Sequence, residues 1–212
     1  MTVITSKSLK RALKTACASF APDELAYLAL TSKPESPVRD RLAWTLHTSL
    51  PDHVAAREWA TNGKRARTDL AILDKASHKP LALIELKACY TFDFADPAQK
   101  SVGDYRRRIA DDLAKAREAG DADTALFGLL LMTHPAIPPQ QTTSVVKYGP
   151  DIERSLKARS SHSLAAAARH NALTALTPLG KVKDGTLRAG SAFGIDVDIS
   201  YFLIRAGEAS PQ

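Results

Sequence analysis

Cysteine is scarce: Cys17 and Cys89 are the two in 212 residues. A disulfide framework is thereby excluded as the source of the fold, and a reducing, cytoplasmic setting is expected. Long hydrophobic runs are missing too. The longest, Ala125 to Met132, is far too short to cross a bilayer. The N-terminal segment mixes Lys and Arg with apolar residues but lacks a continuous apolar stretch and a small-residue cleavage site, so no secretory signal is expected. The six histidines show no zinc-ligand spacing, and two distant cysteines do not supply one. There is no G-x-S-x-G elbow, which leaves a serine hydrolase without support. Gly63-Lys64 lacks the upstream glycine of a P-loop. No internal repeat and no low-complexity tract occurs.

What is present is ordinary globular composition, 44% hydrophobic and 25% charged, with a formal net charge of +6. An excess of positive charge favours a polyanionic partner through long-range attraction, without identifying it. The length fits one well-filled core, so residues 1–212 are read as a single domain with its core at about 37–135. Residues 1–31 and 136–212 are read as elaborations of that core.

Periodicity predicts two helices before Thr31, broken at Phe20-Ala21-Pro22-Asp23. After the linker Ser32–Pro37, Ser36 is read as an N-cap with Pro37 at the first helical position. That helix carries Val38, Leu42, Trp44 and Leu46, and both Trp44 and Trp59 are read as core aromatics. Strands are expected at His53–Ala60, Thr68–Leu73 and Leu81–Ala88, the last two joined as a hairpin through the polar turn Asp74–Pro80. Val102, Tyr105, Ile109 and Leu113 recur at helical spacing. Ala125–Thr133 is apolar on both faces, as in a central strand. The rest reads as a helical stretch, Pro150 to Leu176, interrupted near Ser160–Ser163. Gly180–Ser191 follows as a loop or hairpin, and Ile195–Ile204 as a last strand. The fold class is α/β, a mixed central sheet flanked by helices.

Two acids interrupt apolar strand sequence, Asp69 in the second strand and Glu85 near the end of the third. A carboxylate buried there needs a metal, a base or hydrogen-bond donors. Glu85 and Lys87 lie two apart and so share one face of their strand, with Leu86 pointing the other way. Across a hairpin, Asp69 can face this pair. Two carboxylates can hold Mg²⁺, with the Leu86 backbone carbonyl as a third ligand, and a lysine can orient or deprotonate the attacking water, or stabilise charge on a phosphate. A salt-bridge cluster with no chemistry is the plain alternative. Lys64, Arg65 and Arg67 enter the same strand and are candidates for gripping phosphates, or for a merely solvated basic loop.

Asp69 followed by Glu85-Leu86-Lys87 across a hairpin resembles the motif of the PD-(D/E)XK nuclease superfamily, over roughly Pro37 to Thr133. The order of helix, three strands, helix and strand is similar as well. The resemblance implies a restriction-endonuclease-like fold, metal ligation by Asp69 and Glu85, and Lys87 as the catalytic lysine. It also implies Glu58 as a further acid near the metal, and Asp112 and Lys115 at the pocket edge. Thr68 stands where the motif has proline. The function expected is Mg²⁺-dependent phosphodiester hydrolysis, with Mn²⁺ able to substitute, DNA favoured over RNA, and a homodimer plausible for duplex cleavage. Two alternatives stay open: a non-catalytic nucleic-acid-binding protein on the same fold, and a metal-dependent hydrolase of a small phosphorylated molecule.

Overall fold

The computed structural model describes residues 4–60, 67–139 and 144–207. Three helices lead the chain: α1 (Ser6–Ala18), α2 (Glu24–Thr31) and α3 (Glu35–Ser49). Three strands follow, β1 (His53–Trp59), β2 (Thr68–Asp74) and β3 (Pro80–Tyr90), and then a 3₁₀ turn at Thr91–Phe94. After helix α4 (Lys100–Ala119) come strand β4 (Ala125–Pro135), helices α5 (Gly149–Ala158) and α6 (Ser161–Leu176), and strands β5 (Gly180–Ala192) and β6 (Ile195–Ala206).

The strands form one mixed six-stranded sheet in the order β1-β2-β3-β4-β6-β5. Strands β1, β2 and β3 meander antiparallel. Helix α4 then returns the chain so that β4 lies parallel to β3, as a crossover of this length allows. Strand β4 is central, and its alternate residues feed both cores. Phe127, Leu129 and Leu131 face the α1–α3 side. Leu126, Leu130 and Met132 face α4 and α6. Among the described residues no helix is long and apolar enough to cross a membrane.

Three expectations need correcting. Gly180–Ala192 is a full strand, paired with β6 along its length. Its apolar positions are few, because an edge strand buries only Leu187 and Ala189 deeply. Helix α3 starts at Glu35 with Pro34 as its cap residue, so Ser36 is not the N-cap. Trp44 is not core: its ring is 65% exposed on α3, stacked on His47 beside a groove of about 700 Å³. Trp44→Ala is therefore expected to change stability by no more than about 0.5 kcal/mol, read from urea unfolding. Trp59 does pack, half-buried, against the α4-side core.

The N-terminal helices are tied to the far edge of the sheet by one acid. Asp23 precedes α2 in a left-handed conformation and gives its helix no side-chain cap. Its Oδ1 instead accepts from the Ser191 amide at 2.7 Å. The neighbouring Gly190 has φ +104, and a Cβ there would stand 2.5 Å from Asp23 Oδ1. Gly190→Ala is expected to destabilise the protein by about 1–3 kcal/mol in the same unfolding measurement, through backbone strain and loss of this tie.

Candidate active site

The hairpin between β2 and β3 does not stay closed. Its last register pair is Leu70↔Ile84, one residue short of Asp69 and Glu85. Beyond it the amides of Leu86 and Ala88 on β3 have no opposing backbone, and a buried amide needs an acceptor. Two carboxylates supply them. Asp69 Oδ2 accepts from Leu86 N at 2.7 Å, and Glu35 Oε2 accepts from Ala88 N at 3.1 Å. Glu35 comes from the first turn of α3. The parting of two strands is thus filled with acid side chains.

Glu85 is the deepest of them, 9% exposed. Burial, aided by the charges of Asp69 and Asp112, pushes its carboxyl up to about 8, against the pull of Lys87. It lies within hydrogen-bonding reach of Asp69. Burial also raises Glu35, with Lys87 pulling it down and Asp69 adding to the rise. The cluster is short of positive charge, and what it has comes chiefly from Lys87. That ammonium sits 2.6 Å from Asp112 Oδ2 on α4 and donates to the Leu86 carbonyl at 3.1 Å. Burial works against its charge, but Asp112, Glu35 and Asp69 outweigh burial and hold it above its ordinary value. Lys87 is therefore a fixed cation at neutral pH, suited to stabilising an anion and not to taking up a proton.

Asp69, Glu85 and Lys87 converge, with Asp112 beside them. Lys115 pairs with the other oxygen of Asp112, Oδ1, at 3.3 Å and is exposed. Glu58 stands across from Asp69, between the register pairs Arg57↔Leu70 and Trp59↔Thr68. It has a left-handed φ of 49, and its carboxylate is ion-paired with Arg39. Arg39 in turn feels the charge of Asp69, so Glu58 reaches the acids through an arginine. Arg67 is exposed at the start of β2, and Lys64 and Arg65 lie outside the described residues. Glu35 is the member that the sequence did not reveal. Its only signal was an acid next to a helix start.

Acids crowded this way gain from a divalent cation, which would relieve the repulsion that raises Glu85. The donor set suits Mg²⁺, which keeps several waters and takes one or two carboxylates. Asp69, Glu85 and the Leu86 carbonyl would be its ligands. Among the described residues no group of three or more His, Cys, Asp or Glu is arranged to hold a metal by itself. Glu35→Gln keeps the hydrogen-bonding shape at Ala88 but removes a charge. It is expected to weaken Mg²⁺ binding by about 10-fold, as loss of a supporting acid does, measured by calorimetric titration.

Compared with family models, curated proteins and solved structures, the chain matches none of them.

Proposed function

We propose that the protein is a metal-dependent nuclease with a restriction-endonuclease-like core, cleaving DNA in preference to RNA. The observation that carries this reading is the parted β2–β3 hairpin, where Asp69, Glu85 and Glu35 are brought against the cation Lys87. Mg²⁺, with Mn²⁺ as a substitute, would be held by Asp69, Glu85 and the Leu86 carbonyl, and when bound would supply charge neutralisation and a nucleophilic water. Lys87 would hold a phosphate oxygen through its charge, with Asp112 fixing its direction. Asp69 and Glu35 keep β3 in place by accepting its free amides. Arg67, with Lys64 and Arg65, would grip the flanking phosphates, and the net charge of +6 would draw the polymer in. A homodimer would let two such sites cut a duplex.

Neither the cavity of about 700 Å³ nor that of about 500 Å³ is lined by Glu85 or Lys87, and the net charge of +6 favours a polymeric over a small phosphorylated substrate. The test is cleavage of plasmid and of single-stranded DNA in Mg²⁺ or Mn²⁺, by native protein and by Asp69→Ala. Metal-dependent cleavage that vanishes in the variant is expected. Retention of DNA in a gel shift without cleavage under any condition would sink the nuclease reading and leave a binding protein.

A further inference from the structure

A second constellation lies further along the same strands, at the carboxyl ends of the parallel pair. Tyr90 and Thr133 are register partners on β3 and β4. The next residues, Thr91 and His134, are joined by a hydrogen bond of 3.1 Å between Thr91 Oγ1 and His134 Nδ1. The other ring nitrogen, Nε2, meets Ser161 Oγ at 2.8 Å. Thr91 and His134 are buried, while Ser161 is half-buried at the first turn of α6. His134 and Ser161 line the cavity of about 500 Å³ together with His162, Arg188, Asp196 and Asp198. This is a hydroxyl nucleophile, a base and a third group that orients the base, facing a space of the size small ligands occupy.

We propose that Ser161 is the nucleophile of a second catalytic site, which acylates and then hydrolyses a small carboxylic ester. With His134 accepting from Ser161, Nε2 is the unprotonated nitrogen and Nδ1–H donates to Thr91. Ser161 Oγ attacks the ester carbonyl carbon as its proton passes to His134 Nε2. The C–O bond to the alcohol then breaks, and that alcohol leaves with the same proton. Water repeats the sequence on the acyl-serine, giving the carboxylic acid and free Ser161. Burial holds His134 below its ordinary value, so at pH 7 it is neutral and its free nitrogen is open to the serine proton. Asp198, its register partner on β6, favours the imidazolium that forms during attack.

The helix start supports the same step. Ser160 caps α6 by accepting from the Ser163 amide, and its carbonyl takes the Leu164 amide. The first amides of a helix have no intrahelical partner, so those of Ser161 and His162 are available to a developing oxyanion. The orienting group is a neutral threonine hydroxyl and not a carboxylate. It supports the imidazolium less than an acid would, which fits an ester, with its better leaving group, more than an amide.

The experiment is reaction of the full chain with a small alkyl fluorophosphonate, followed by intact mass and peptide mapping. Ser161 Oγ would form a bond to phosphorus as fluoride leaves. One adduct on Ser161 is expected, absent from Ser161→Ala and slowed by at least about 100-fold in His134→Gln. His134 is buried, so that variant can misfold. Native protein in denaturing urea serves as the second comparison, and labelling must vanish there too. No adduct, an adduct on Ser160 or Ser163, or equal labelling of native and urea-unfolded protein would overturn the proposal. None of these outcomes depends on whether the protein cleaves DNA.

Discussion

Replacing Lys87 with alanine is expected to lower DNA cleavage by about 10²–10⁴-fold, with DNA binding nearly unchanged. The reason is that Lys87 carries the cation that faces the acids directly. Its charge is fixed by Asp112 at 2.6 Å and reinforced by Glu35 and Asp69. Lys87→Arg is not expected to rescue, because a planar guanidinium cannot take the place of a point charge that also reaches the Leu86 carbonyl. Asp112→Asn removes the partner but leaves the ammonium, and a smaller loss of about 10–100-fold is expected, mainly in kcat. Single-turnover cleavage with each variant decides the order. Cleavage by Lys87→Ala at the native rate would place the chemistry elsewhere. Thermal melting accompanies the assay, since Lys87→Ala leaves Asp112, at 20% side-chain exposure, without its closest cation.

The second large effect concerns pH. An unfolded glutamate titrates near 4.5, and folded Glu85 near 8. Between those values the folded chain holds a proton that the unfolded chain has released. Stability therefore falls as pH rises across this window, and levels off above it. The loss is on the order of a few kcal/mol. Glu35 and Asp93, both also raised by burial, act in the same direction. Glu85→Gln is expected to flatten most of the slope, so that the variant is more stable than native protein at pH 8.5 and little changed at pH 5. On the proposed function, Mg²⁺ bound at Glu85 would compete with the same proton. Its stabilising shift in melting temperature should be larger at pH 8.5 than at pH 6, and should be lost in Glu85→Gln. Urea unfolding at several pH values, with and without Mg²⁺, measures both. A native stability that does not fall from pH 5 to pH 8 would overturn the raised Glu85 carboxyl.

The parts of the site legible in sequence are those that sit close together on strands. Glu85 and Lys87 share a face by simple alternation, and the short polar turn after β2 brought Asp69 near them. Asp112 came only from the family resemblance, which implies a pocket-edge position on the helix after β3. Glu35 was not legible, because its place depends on where α3 begins relative to an amide of Ala88 that lies 53 residues away. The Ser36-Pro37 pair gave a good local cap, but α3 begins at Glu35 with Pro34 as its cap residue, which leaves the Glu35 carboxylate to accept from Ala88. Trp44 was misread for a related reason. It falls beside Val38, Leu42 and Leu46 in a helical repeat, but the buried stripe of α3 is narrow and leaves it outside. The Thr91–His134–Ser161 chain carries no sequence signal at all. It joins three segments through the parallel pairing of β3 with β4 and the placement of α6.

The parting of β2 from β3 also gives the protein a gauge of its own. In an ordinary sheet the amides of Leu86 and Ala88 would be locked to a neighbouring backbone and silent to chemistry at the site. Here their hydrogens rest on the carboxylates of Asp69 and Glu35. Any change in the charge those acids carry is passed straight into two backbone N–H bonds. The resonance frequencies and solvent-exchange rates of these two amides would thus read out the ionisation state of the acids, with no label and no substrate.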